Sequence, residues 1–190
     1  MKLASYKGTR PGLQGVANIL IRLRLRGPYS HNEVVFEPSD EVGYLMPDGT
    51  CEPDASGALW CVSSVAAERL PAWSARRAGK VGGVRFKRIR IDPSRWCVLD
   101  YPVDAAAAAT RARSLEGALY DWQLILGYLA WLIPGKAERW TCNEFCAWLG
   151  GIADPWRFDP CALHAAVAAM NQARQVALAL GAAEAALPAP

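Results

Sequence analysis

Residues 96–116 read WCVLDYPVDAAAAATRARSLE, and the texture of the chain changes inside this stretch. Trp96 to Tyr101 has the length and the aromatic and β-branched content of a strand. Pro102 ends it. Asp104 suits an N-cap, because its carboxylate accepts from the unpaired N–H groups of a first helical turn. The alanines behind it start a run of high helix propensity that reaches about Glu116. Strand signals dominate before this point and helix signals after it. That segregation predicts an α+β fold with an antiparallel sheet, not an alternating βαβ chain.

Upstream, Gly82-Gly83 turns the chain into a strand over Val84 to Ile91. Its apolar alternation, Val84/Phe86 and then Ile89/Ile91, slips phase at Lys87-Arg88 and predicts a bulge there. Ala58 to Ser64 reads as a short strand, and Ala66 to Ala78 as an irregular or weakly helical basic segment. Tyr29 to Phe36 opens as a strand after Pro28, with Val42 to Met46 as its expected hairpin partner before the Pro47-Asp48-Gly49 turn. Pro11 to Arg26 carries two periods. Leu13, Val16, Leu20 and Leu23 fit a helix, while Ile21 to Arg26 alternates like a strand. Pro11 as a start and Gly27-Pro28 as a stop favour a helix ending near Arg26.

Downstream, Gly117 interrupts, and Tyr120 to Ile133 is expected to form a second helix, apolar nearly all round. Thr141 to Leu149 reads as a short helix ended by Gly150-Gly151. Pro160 to Leu180 reads as a long Ala-rich C-terminal helix, and residues 181–190 as a flexible tail. A single domain over residues 1–180 follows, without internal repeats.

Composition sets the outer bounds. At 52% hydrophobic and 21% charged, 190 residues bury a real core, which excludes a disordered or collagen-like chain. A net charge of +3 is too small to imply a nucleic-acid partner. Met1 to Arg10 lacks the apolar core of a secretory signal. The longest apolar run, Leu124 to Ile133, is half the roughly 20 residues a membrane-spanning helix needs. The simplest expected location is the cytoplasm, or a phage particle or lysate made there, with signal-less export left open. The six cysteines, Cys51, Cys61, Cys97, Cys142, Cys146 and Cys161, contain no Cys-x-x-Cys pair, and there are only two histidines. Reduced, mostly buried thiols are expected, and no metal or organic cofactor is called for.

Thr141-Cys142-Asn143-Glu144 is the best local chemical signal. It fits a capping box, with Thr141 as N-cap and Glu144 at the third helical position. Cys142 then stands first in the helix, where free N–H groups and the helix dipole favour an anion. Thiolate is the nucleophilic form of cysteine, and helix N-termini lower its pKa. The same box also caps many helices without catalysts, and a lone cysteine is most often a small buried hydrophobe. A cysteine nucleophile needs a base. His164 lies among alanines and leucine and reads as an ordinary helical residue. His31, at a strand start, is well placed to face a helix N-terminus, or else is a satisfied structural histidine.

Four segments carry a resemblance: Gly27-Pro-Tyr-Ser-His-Asn-Glu-Val-Val-Phe36, Gly82-Gly-Val-Arg-Phe-Lys87, Tyr120-Asp121-Trp122 with Leu124 to Gly127, and Arg139-Trp-Thr-Cys-Asn-Glu-Phe145. Taken in order, they resemble motifs of the circularly permuted, NlpC-type papain-like cysteine peptidases and amidases, in a branch with many phage-encoded members. His precedes Cys here, as in the permuted branch. The resemblance implies a permuted papain-like core, with the nucleophile helix packed on an antiparallel sheet. It implies Cys142 as nucleophile and His31 as base. It also implies a third polar group that orients the imidazole from the strand after His31, where Ser63 or Ser64 stands. Glu33 is the other candidate, two residues on from His31 and on the same strand face.

The chain departs from the family pattern at Asn32, in a longer Met46 to Ala58 segment and in the basic Ala66 to Lys80 insertion. The implied activity is hydrolysis of an amide or peptide bond through a thioester, first of all in cell-wall peptidoglycan stem peptides, with no nucleic-acid partner and no transmembrane segment. The alternatives are an acyltransferase or lipid hydrolase of the same fold, as in the lecithin-retinol-acyltransferase group, and a non-catalytic phage structural protein.

Overall fold

The computed structural model describes residues 1–74, 76–121 and 139–185. The elements run β1 (Lys2–Tyr6), α1 (Leu13–Leu25), β2 (His31–Phe36), β3 (Leu59–Arg69), β4 (Val81–Ile89), β5 (Trp96–Asp100), α2 (Ala105–Ser114), β6 (Leu119–Tyr120), β7 (Arg139–Trp140), α3 (Cys142–Leu149) and α4 (Pro160–Ala185). Strands β1 to β5 form an antiparallel sheet in the order β4-β3-β2-β1-β5, and β6 pairs with β7 in parallel. The fold is therefore α+β, with four helices among the described residues.

The core lies on one face of the sheet. Leu3, Val34, Phe36, Val62, Val84 and Phe86 point to it by strand alternation. They meet Ala108, Ala109 and Ala112 of α2, Phe145, Cys146 and Leu149 of α3, and Leu163 and Val167 of α4. The alanine stripe lets α2 approach closely, and Asp104 caps it by accepting from the N–H groups of Ala106 and Ala107. Phe145 and Leu149, four residues apart, anchor α3 by one face. The other sheet face carries a smaller cluster of Ala4, Tyr6, Val35, Cys61 and Trp96.

Several expectations change. The N-terminal residues, read as merely polar, hold β1, which fills the gap between β2 and β5. Val42 to Met46 is not a hairpin strand; Gly43–Leu45 is a turn of 3-10 helix. Both edges of β2 are already taken, by β1 and β3, so no partner position remains. The Lys87-Arg88 bulge is absent, since these residues pair in register with Cys61 and Trp60. The apparent phase slip arises because Val84 and Phe86 face the main core while Ile89 and Ile91 pack on the smaller cluster of the opposite face. The register shift falls instead between Val65 and Arg69, opposite Gly83 and Val81, so Ala66 to Arg69 is strand and not irregular. Tyr120 is a strand residue; the rest of the helix expected over 120–133 lies, from residue 122, outside the described residues. Helix α4 continues through residues 181–185, part of the expected tail, and residues 186–190 lie outside the description.

Helix α1 forms where expected, but its packing is unusual. Leu13, Val16, Leu20 and Leu23 stand 51–89% exposed, and its buried residues are Gly15 and Asn18. Polar ties hold it: Asn18 accepts from the Arg10 N–H and donates to the Ser30 hydroxyl, and Arg22 donates to the Lys7 carbonyl and the Thr9 hydroxyl. Among the described residues no helix is long and apolar enough to cross a membrane.

Candidate active site

Helix α3 begins with the expected capping box. The Thr141 hydroxyl accepts from the Glu144 N–H at 3.4 Å, and the Glu144 carboxylate accepts from the Thr141 N–H at 3.3 Å. Cys142 is thereby the first helical residue, and it is buried. His31 opens β2 directly across from Tyr6 of β1. The Cys142 thiol and the His31 imidazole meet at a cavity of about 420 Å³, whose mostly apolar wall includes Leu13, Ala17 and Ile21 of α1 and Val65 and Ala66 of β3.

Strand alternation brings Glu33 to the His31 side of β2, and its Oε1 lies 2.8 Å from His31 Nε2. A carboxylate at Nε2 fixes the tautomer that carries its proton there and leaves Nδ1 for the thiol side. Glu33 is itself gripped by both prongs of Arg85, at 2.8 and 2.6 Å. Arg85 reaches on to Glu68 at 3.2 Å, and Lys87 also pairs with Glu68. Ser63 stands opposite Arg85 in the β3–β4 register, between the two charged partners. A small side chain at that point lets the guanidinium cross β3.

Electrostatics follow from this packing. Burial would push the Glu33 carboxyl up, but the Arg85 charge and its forked hydrogen bonds hold it well below the usual carboxylate range. Burial would likewise push the His31 imidazolium down. The charge of the neighbouring Cys142 thiolate, hydrogen bonding to it and the Glu33 carboxylate together raise His31 to about 9. For Cys142, burial works upward and is overcome by the His31 charge and hydrogen bond, with the Asn32 and Asn143 N–H groups adding to the effect, so its pKa falls below the ordinary thiol value. Burial pushes the thiols of Cys51, Cys61, Cys146 and Cys161 the other way. Each group therefore favours the charged form of the other, a thiolate beside an imidazolium.

The remaining sequence candidates are placed elsewhere. Ser63 donates its hydroxyl proton to the Asn32 carbonyl at 2.7 Å, and Ser64 donates to the Trp140 carbonyl at 2.7 Å. Glu33, not either serine, holds the imidazole. His164 has Ser5 Oγ at 2.9 Å from Nδ1 and the Tyr29 hydroxyl at 3.2 Å from Nε2, so both its nitrogens are engaged away from Cys142. Cys146 sits one turn behind Cys142 in the core, facing the Asn32 carbonyl. The Asn143 side chain accepts from the Cys142 thiol at 3.5 Å and donates to the Phe158 carbonyl, pinning the first turn of α3. Arg85 was not singled out by sequence. Its only trace there is a charge inside an apolar strand, matched by Glu33 in a second one. Among the described residues, no three His, Cys, Asp or Glu side chains gather as a metal-binding set.

No family model matches the chain, and neither the curated proteins nor the solved structures hold a significant match to it.

Proposed function

We propose that this chain is a cysteine hydrolase that cleaves an amide bond through a thioester on Cys142. The observation that carries the reading is the buried series Cys142–His31–Glu33–Arg85, running from the N-terminus of α3 across one face of the sheet. A nucleophile on a helix, a base on a neighbouring strand and the order His before Cys also support a permuted papain-like core of the NlpC type.

In the proposed mechanism His31 holds the Cys142 proton as an ion pair. The thiolate attacks the substrate carbonyl carbon, and the carbonyl π electrons move onto oxygen. The Cys142 N–H at the helix start donates to that oxyanion. As the intermediate collapses, the C–N bond breaks and His31 gives its proton to the leaving amine. Water, deprotonated by His31, then attacks the thioester and releases the acid and the thiolate. Glu33 keeps the imidazole oriented throughout and stabilises its cation. Peptidoglycan stem peptides are the first substrate class under this reading. The apolar wall that α1 supplies favours a second, acyl-group transfer or lipid hydrolysis, because it offers room for an apolar chain beside the thiol.

Site-resolved alkylation of all six cysteines against pH tests the reading. Cys142 is expected to react far faster than the others at about pH 6 to 7, and to lose that advantage in His31→Ala. Equal rates for Cys142 and the other thiols in the folded protein overturn it.

A further inference from the structure

A second cavity, of about 520 Å³, opens on the sheet face that carries His31 and Glu33. Six cations converge on it, Arg10, Arg85, Lys87, Arg88, Arg90 and Arg95, against the two carboxylates Glu68 and Asp92. Glu68 is taken by Arg85 and Lys87, while Arg88 pairs with Asp48 outside. Among the described residues, Arg10, Arg90 and Arg95 have no carboxylate within salt-bridge distance. Arg10 and Arg95 flank one aromatic ring, their guanidinium carbons 5.6 and 5.4 Å from the Tyr6 centroid. Arg85, Lys87 and Arg88 are committed to ion pairs that brace the sheet, while the charges of Arg10, Arg90 and Arg95 are left over, and guanidinium groups converging on a concave surface focus potential on an anion.

The cavity adjoins the candidate catalytic one. Arg10 and Gln14 line both. Its inner wall includes Tyr6, the cross-strand neighbour of His31, and Trp96, whose ring centroid lies 6.4 Å from that of the imidazole. Arg85, in the same wall, grips Glu33. A molecule whose carbonyl rests at Cys142 therefore projects one side toward the cations.

We propose that this cavity is the anion subsite of the active site and takes a carboxylate or phosphate group carried by the substrate beside the bond that is cleaved. The inference rests on the hydrolase reading for its catalytic meaning, but the binding of an anion is testable without it. The substrate therefore has an apolar segment next to the carbonyl at the thiol and an oxygen anion within reach of Arg10, Arg90 and Arg95.

Three 4-nitrophenyl esters decide the catalytic side: those of hexanoic acid, adipic acid and 6-phosphonohexanoic acid, which end in a methyl, a carboxylate and a phosphonate. The anionic esters are expected to show a KM at least fivefold below that of the neutral one. The preferred anion then tells whether a carboxylate or a phosphate source is read. The ratio is expected to collapse in Arg10→Gln/Arg90→Gln, to shrink in Arg90→Gln alone, and to persist in Arg157→Gln, which removes a cation elsewhere on the surface. Equal KM values, or a preference that survives the double variant, overturn the proposal. Calorimetric titration with glutarate and with inorganic phosphate separates the two ideas. If no ester turns over, the hydrolase reading fails, and the subsite still stands if either anion binds wild type at least fivefold tighter than the double variant. If neither anion binds wild type, the subsite falls.

Discussion

Glu33 concentrates the chemistry of the site in one carboxylate. It orients His31 through Oε1 and is held ionised by Arg85, so its charge stays constant across the working pH range. The raised pKa of His31 keeps the imidazolium protonated from neutral pH up to about 9, while the Cys142 thiolate forms below the ordinary thiol value. Hydrolysis should rise with pH as the thiolate forms and fall as the imidazolium, which must protonate the leaving amine, deprotonates near pH 9, the two limbs belonging to the coupled pair. Glu33→Gln removes a group that supports the cation. The alkaline limb is then expected to move below pH 9, and kcat to drop on the order of a hundredfold. The same change leaves Arg85 buried with only Glu68 as counter-charge, at a cost of about 3 kcal/mol in urea denaturation. Ser63→Ala loses only a neutral hydrogen bond, worth about 1 kcal/mol, and should keep both limbs in place. A pH profile of amide hydrolysis in both variants separates the roles. An unmoved alkaline limb in Glu33→Gln, or a moved one in Ser63→Ala, would return the orienting role to the serine.

Helix α3 positions Cys142 by local means, since its capping box and its Phe145/Leu149 anchor are both written within a few residues. Thr141→Ala removes the side-chain acceptor for the Glu144 N–H and should cost about 1 kcal/mol. The anchor remains, so the helix should persist while its first turn frays and Cys142 alkylation slows. Circular dichroism together with the alkylation rate checks this; an unchanged rate despite the lost stability would mean that the box only caps. This locality explains why α3, the Asp104-capped α2 and the candidate pair Cys142 and His31 were readable along the chain. Strand β1 was not, because Leu3, Ala4 and Tyr6 show no long period, and their burial on both faces comes from insertion between two strands distant in sequence. The hairpin expected at Val42 to Met46 failed for the same reason, since β2 takes both its partners from elsewhere. Glu33 was readable by its two-residue spacing from His31, but the choice between it and Ser63 depends on Arg85. That arginine reaches it across 52 residues of sequence and an intervening strand, and no local pattern announces the contact.

At the scale of the whole molecule, the two sides of the sheet are held unequally. One face lies under α2, α3 and α4 in a continuous apolar core. Helix α1, which walls the candidate catalytic cavity, buries only Gly15 and Asn18 and exposes most of its leucines. Burial of apolar area is the main source of cooperative stability, so α1 should open without the rest. Amide hydrogen exchange is expected to be at least a hundredfold faster over residues 16–25 than over β2 and β3, whose amides should exchange only near the global unfolding limit. By the same logic Leu20→Ala should change global stability by less than about 0.5 kcal/mol, while altering KM, because Leu20 faces the cavity. Phe145→Ala, in the covered core, should cost about 3–5 kcal/mol. Exchange in α1 as slow as in β2 would show that the helix belongs to the cooperative core. Exchange that is fast in the free protein but slowed by a bound substrate analogue would show that occupying the cavity supplies the packing α1 otherwise lacks, and would make ordering of this helix part of substrate recognition.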